Sequence, residues 1–154
     1  MGRWSFEFLF TQSHEDTKMD WENRIEKLAR VAVDCGYHLH RDLGPGLLEG
    51  AYELVLAELL QQKGVTVRRQ VSVPIRYQSV VIDNAFKIDL LLDDVLVIEL
   101  KSTEKMAAIH GKQLLTYLRL MKLPLGLLMN FGQATYKEGV KRVANDYYAS
   151  PRPL

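Results

Sequence analysis

Residues 85–101 read AFKIDLLLDDVLVIELK, two runs of mostly aliphatic residues separated by Asp93-Asp94. Short apolar runs bounded by turn residues are typical of strands. Because only a short turn joins these two runs, the sequence predicts antiparallel neighbouring strands at residues 85–92 and 95–101. This pair forms the centre of the predicted sheet.

Three ionisable residues interrupt these apolar strands. Asp89 lies in the first strand. Glu99 and Lys101 lie two residues apart in the second strand, so their side chains project from the same face of that strand. Charged groups in near-buried strands are costly unless they are paired or bound to a metal. Two carboxylates offer the hard oxygen ligands that Mg²⁺ prefers, and a lysine beside them can orient an attacking water. The alternative is a structural ion pair at the rim of the sheet.

The register of the two strands distinguishes these interpretations. A two-residue hairpin at Asp93-Asp94 would place Asp89 opposite Ile98. A three-residue loop or a bulge would instead place Asp89 opposite Glu99, on a shared face. Asp-Asp lacks the Gly or Asn of favoured two-residue turns. A functional site therefore predicts the register that pairs Asp89 with Glu99.

Helices are predicted where apolar residues recur at three- and four-residue steps. Three segments have this pattern: residues 21–40, with Asp20 as the N-cap, residues 47–63 and residues 106–121. Gly44-Pro45-Gly46, between the first two, indicates a helix break. A phosphate-binding loop is the weaker alternative there, because no Lys-Ser/Thr pair follows.

Further strands complete the predicted sheet. Alternating apolar and polar residues predict a strand at residues 65–77, and the apolar segment 125–131 is typical of a strand buried on both faces. Residues 134–143 predict one more short strand or helix. The fold class is therefore α/β, a small mixed sheet flanked by helices, with an extra N-terminal helix.

Length and composition limit the class of protein. The chain has 154 residues, 47% of them hydrophobic and 25% charged, which predicts one globular domain at residues 19–148. We expect a disordered N-terminal extension at residues 1–18 and a C-terminal tail at residues 149–154. A net charge of +1 gives no global field for nucleic acid, so any such contact is local. One cysteine and no apolar stretch of about 18 residues predict a cytoplasmic protein outside the membrane.

The third predicted helix carries polar residues on one face. Gln113 and Tyr117 are four residues apart, and His110 lies three residues earlier on nearly the same face. These groups could contact a substrate backbone, and the alternative is an ordinary half-buried polar edge.

These residues together resemble a known superfamily. The pattern of Asp89, Glu99 and Lys101 resembles the PD-(D/E)XK nuclease superfamily, with Ile88 where the superfamily's name has proline. Gln113-x3-Tyr117 resembles the QxxxY motif of its recombination-exonuclease branch. Gly46-x2-Glu49-x2-Tyr52 is similar to the signature of the GxxExxY proteins.

The resemblance implies a restriction-endonuclease-like core with the order α-β-β-β-α-β and a role for each matching residue. Asp89 and Glu99 would be metal ligands, Lys101 the cation that orients water, and Glu49 an accessory carboxylate. Gln113 and Tyr117 would orient the substrate. Glu53, one turn after Glu49, could share its role, and the alternative is a solvated helix carboxylate.

The implied function is a nuclease, a hydrolase that cleaves phosphodiester bonds with Mg²⁺ or Mn²⁺ and prefers DNA to RNA. The alternative is a non-catalytic nucleic-acid-binding or protein-interaction module on the same fold. Because a domain of this size offers little surface to grip a duplex, we expect a homodimer or a partner protein.

Overall fold

The computed structural model describes the backbone of residues 4–145 and the side chains of residues 16–145. Its helices and strands are α1 Trp4–Leu43, α2 Glu49–Gln62, β1 Val67–Tyr77, β2 Val80–Leu92, β3 Leu96–Lys101, α3 Ala108–Met121, β4 Leu125–Asn130, α4 Tyr136–Gly139 and β5 Val140–Ala144.

The strands form one mixed sheet in the order β1-β2-β3-β4-β5. β3 and β4 are parallel and are joined through α3, whereas the other neighbouring pairs are antiparallel. This architecture confirms the predicted fold class, a mixed sheet flanked by helices and preceded by an extra N-terminal helix, and it is consistent with a restriction-endonuclease-like fold. The segment predicted as one short strand or helix at residues 134–143 contains both α4 and β5.

Two hydrophobic clusters hold the helices against opposite faces of the sheet. α1 and α2 pack on one face, where Leu56 and Phe131 are completely buried. α3 packs on the other face through Leu114 and Leu118, which contact the cluster around Val97. Burial of apolar side chains on both faces explains why β3 and β4 read as continuous aliphatic runs.

The first helix departs from the sequence prediction. It begins at Trp4, so the segment predicted as a disordered extension at residues 1–18 is helical from Trp4 onward, and Asp20 lies within the helix rather than capping it. The physical reason is that neither Gly nor Pro occurs from Trp4 until Gly36, so nothing interrupts the helix before Asp20. The predicted C-terminal tail, residues 149–154, lies outside the described residues.

The described helices include no candidate membrane span. Within residues 4–145, even the 40-residue α1 lacks an apolar stretch of the kind that crosses a bilayer.

Candidate functional site

The turn between β2 and β3 sets the register that the site requires. Asp93 and Asp94 both adopt left-handed backbone angles, with φ of 47° and 58°, and the turn extends to Val95. Leu90 consequently lies opposite Ile98. The three pairs from Leu92 to Leu90 confirm the predicted register. Asp89 lies next to the last of these pairs, and its charge acts on the Glu99 carboxyl.

Asp89 is held in a fixed orientation on β2. Its Oδ2 accepts a hydrogen bond of 2.8 Å from the backbone N–H of Leu100, and its Oδ1 accepts one of 3.2 Å from the side-chain amide of Gln70. Both donors are N–H groups, and carboxylate oxygens accept from such donors. The two bonds leave lone pairs on both oxygens for a cation.

Glu99 is the most electrostatically perturbed carboxyl of this group. Burial, and then the negative charge of Asp89, raises the pKa of Glu99 to about 8, while Lys101 and the backbone of Asp89 act in the opposite direction. Its Oε1 is buried, and no group among residues 16–145 forms a hydrogen bond with it. A buried carboxylate oxygen without a partner is costly, and a bound cation would remove that cost.

Lys101 and Glu49 lie at the carboxyl end of β3. Lys101 is half-buried, and Glu49 is the first residue of α2. Partial burial raises the pKa of Glu49, Lys101 opposes this shift and Asp89 adds to it, and a hydrogen bond from the Ser102 backbone lowers the pKa. These mutual effects place Glu49, Lys101 and Asp89 in one electrostatic neighbourhood.

The predicted substrate-orienting pair on α3 approaches the same carboxylates. The Tyr117 ring stacks on Phe86 of β2 with ring centroids 3.9 Å apart. Burial raises the pKa of Tyr117, Glu99 and Asp89 raise it further, and a hydrogen bond with the Gln113 side chain lowers it. The Tyr117 hydroxyl therefore lies near both acids, with the exposed Gln113 beside it.

The two further candidates, Glu53 and His110, lie differently from the rest. Glu53 is buried, and its carboxylate is bonded to Arg69 Nε at 3.0 Å and to Gln70 Nε2 at 2.7 Å, so it does not present a free oxygen to the site. His110 is half-buried in the first turn of α3, and nothing in the described part of the chain bonds to its buried Nδ1.

Tyr52 explains the Gly46-x2-Glu49-x2-Tyr52 spacing. Its buried hydroxyl donates to Gly44 O at 2.5 Å and accepts from Leu47 N at 3.2 Å, which ties the preceding loop to α2. Gly46 has a φ of +114°, an angle that favours glycine. The motif thus fixes the point at which α2 begins, and with it the position of Glu49.

The sequence gives no signal for Gln70 or Ser102. Gln70 bonds to both Asp89 and Glu53, and the Ser102 hydroxyl donates to Leu47 O at 2.7 Å, which pins the loop before α2 to the end of β3. Neither residue belongs to a recognisable motif. Only the strand register could have pointed to Gln70, because it lies between the two β1 residues paired with Leu90 and Ile88.

The donor set fits a divalent cation with hard oxygen ligands. Among residues 16–145, no three or more His, Cys, Asp or Glu side chains stand together as a closed metal cage. Mg²⁺ is usually held by one or two protein carboxylates, with water or substrate completing its shell. Asp89 and Glu99 could supply those two carboxylates, and the unpartnered Glu99 Oε1 is the oxygen that such an ion would satisfy.

Comparison with known families agrees with this geometry. The family model described as PD-(D/E)XK nuclease superfamily matches residues 26–143, more than half of the chain. The chain belongs to the PD-(D/E)XK nuclease superfamily. No curated protein and no solved structure gives a significant match. The match of this superfamily spans β2, β3, α3 and the start of α2, the elements that carry every candidate residue.

Proposed function

We propose that this PD-(D/E)XK domain is a metal-dependent nuclease that hydrolyses phosphodiester bonds in nucleic acid. The observation that carries the proposal is the buried, unpartnered Glu99 Oε1 beside Asp89 on the central strands. A bound cation would supply the partner that this oxygen lacks among residues 16–145. DNA is the favoured substrate, because the Gln113-x3-Tyr117 spacing resembles that of recombination exonucleases.

Each candidate residue has a chemical role in this proposal. Asp89 and Glu99 would hold Mg²⁺ or Mn²⁺, which when bound stabilises negative charge developing on the phosphoryl oxygens. Lys101, on the same face of β3 as Glu99, would orient the attacking water with its ammonium group.

The remaining roles belong to groups around this centre. Glu49 would assist as an accessory carboxylate at the start of α2. The Tyr117 hydroxyl and the Gln113 amide would hydrogen-bond to the substrate backbone. We also assign the chain to the GxxExxY group, an assignment supported by the structural use of Gly46, Glu49 and Tyr52.

The decisive experiment compares two aspartates on the same strand. Mn²⁺ and Mg²⁺ are titrated calorimetrically into the wild type, Asp89→Ala and Asp83→Ala, and the same samples are assayed on single- and double-stranded DNA and RNA. Asp83 is exposed and lies on β2, so it is a matched control. We expect metal binding and cleavage to be lost in Asp89→Ala and retained in Asp83→Ala.

The opposite result supports the alternative function. If the wild type binds neither metal, even with nucleic acid present, and cleaves none of the four substrates, the acidic cluster is structural. The domain would then be a non-catalytic binding module on the nuclease fold.

We further propose that the active form contains a second copy of the chain. The β1–β2 hairpin exposes four large apolar side chains at its tip: Tyr77, Val80, Val81 and Ile82. Exposed apolar side chains at such a tip offer surface for contact with another chain. Light scattering after size-exclusion chromatography should give a dimer for the wild type and a monomer for Ile82→Glu, and a monomeric wild type would contradict the proposal.

A further inference from the structure

We propose that Gln70 is a positioning residue that fixes the Asp89 carboxylate for metal binding. The inference rests on the proposed nuclease function and extends it to a residue that belongs to no recognised motif. Three observations carry it: the hydrogen bonds of the Gln70 side chain, its backbone conformation, and its place in the sheet.

The side-chain amide of Gln70 connects Asp89 to a buried anchor. Gln70 Nε2 lies 3.2 Å from Asp89 Oδ1 and 2.7 Å from Glu53 Oε2, and its two hydrogens can serve both acceptors. Glu53 is 5% exposed and is also bonded to Arg69 at 3.0 Å. Because its carboxylate is buried and paired, Glu53 is a fixed point from which Gln70 can hold Asp89.

The backbone of Gln70 is unusual for a strand residue. Its φ is 50°, in the left-handed region that side-chain-bearing residues rarely occupy. Glycine would adopt this angle without steric cost but could not reach Asp89. Strained angles of this kind cluster at functional sites, and the side chain of Gln70 reaches the candidate ligand Asp89.

Gln70 also lies where both strands change the face that they bury. Val67 packs with the cluster under α1 and α2, whereas Val71 packs with the cluster under α3. On β2, Leu90 packs in the cluster under α1 and α2, whereas Ile88 packs in the cluster under α3. Residues two or four apart in a regular strand share a face, and these residues do not, so the ladder is irregular at this point. The orientation of the Asp89 side chain therefore depends on its own hydrogen bonds.

Those bonds act on separate oxygens of the metal ligand. Gln70 holds Oδ1, and the backbone N–H of Leu100 holds Oδ2 at 2.8 Å. Hydrogen bonds from outside the ligand set orient a ligand and commonly change metal affinity by about 10- to 100-fold when removed. Loss of Gln70 would remove the bond to Oδ1 and keep the bond from Leu100 to Oδ2.

The test uses a second glutamine with the same backbone angle. Gln78 has a φ of 52° and lies exposed in the turn after β1. Gln70→Gly and Gln78→Gly both replace a left-handed glutamine with the residue best suited to that angle. Only Gln70→Gly also leaves a buried Glu53 oxygen without its partner, so Mn²⁺ affinity is compared at a temperature at which both variants are folded. We expect Mn²⁺ to bind about 10- to 100-fold more weakly to Gln70→Gly and with wild-type affinity to Gln78→Gly, by titration calorimetry.

The outcomes separate this inference from the proposed function. Equal Mn²⁺ affinity of Gln70→Gly and Gln78→Gly, with a wild type that binds and cleaves, would overturn the role of Gln70 alone. A wild type that does not bind Mn²⁺ would overturn the proposed function itself. Should Gln70→Gly not fold, Gln70→Asn tolerates the left-handed angle but is one methylene too short for the bridge, and wild-type Mn²⁺ affinity in that variant would equally overturn the inference.

Discussion

Burial of the Glu99 carboxyl beside Asp89 makes the stability of the metal-free domain depend on pH. The pKa of Glu99 is raised to about 8, from an ordinary value of 4.5 in the unfolded chain. Between these pH values the folded state binds more protons than the unfolded state, so the free energy of unfolding falls as pH rises, by roughly 1 kcal/mol per pH unit. Glu99→Gln, which stays neutral, should lack this decline.

Urea denaturation at about pH 5 and about pH 8, with chelator present, measures the effect. Glu99→Gln should resemble the wild type at the lower pH and be the more stable protein at the higher pH. Glu58→Gln, at an exposed position on α2, serves as the control and should follow the wild type. Parallel pH dependence of the wild type and Glu99→Gln would show that Glu99 ionises normally in the fold.

The start of α2 depends on a single hydroxyl. The Tyr52 hydroxyl bonds to Gly44 O and to the N–H of Leu47, and Leu47 lies two positions before Glu49. Tyr52→Phe leaves these groups without their partner, which should lower the free energy of unfolding by about 1–2 kcal/mol. Because Glu49 is then less firmly placed, cleavage should fall on the order of tenfold to a hundredfold.

Tyr136 provides the matched control for this prediction. It is also buried, and its hydroxyl donates to Val33 O at 2.8 Å, on the side of the sheet covered by α1. Tyr136→Phe should cost a similar amount of stability without slowing cleavage, as measured by denaturation and by initial rates on the same DNA. Equal losses of cleavage in the two variants would show that the rate follows stability and not the position of Glu49.

The sequence is informative where one local pattern suffices and uninformative where distant segments meet. The register of β2 and β3 could be predicted because Asp93-Asp94 is a poor two-residue turn and only one register brings Asp89 to Glu99. Gln70 could not be found, because its role depends on a left-handed angle and on contacts with residues 17 and 19 positions away. Helical spacing suggested that Glu53 could share the role of Glu49, because the spacing carries no information about Arg69 of β1, which bonds to the Glu53 carboxylate.

The described side chains of α1, from Asp16 onward, change from exposed to buried along the helix. The first buried residue in this part is Ile25, which is 4% exposed, whereas Asp16, Met19 and Asp20 are exposed. The local N-cap signal at Asp20 misplaced the helix start, since helix continuation needs only the absence of a breaker. Folding of the domain, in contrast, should depend on the segment from Trp21 onward, which packs against the sheet.

Removal of residues 1–18 tests this division of the molecule. We expect the free energy of unfolding to change by less than about 1 kcal/mol, because the deleted segment lies before the domain predicted at residues 19–148. Ile25→Ala in the full chain should cost about 2–5 kcal/mol, because it opens a cavity between α1 and the sheet. Thermal and urea denaturation of both proteins compare the two effects directly. If the truncated chain lost as much stability as Ile25→Ala, residues 1–18 would be part of the packed domain, and its boundary would lie before Met19.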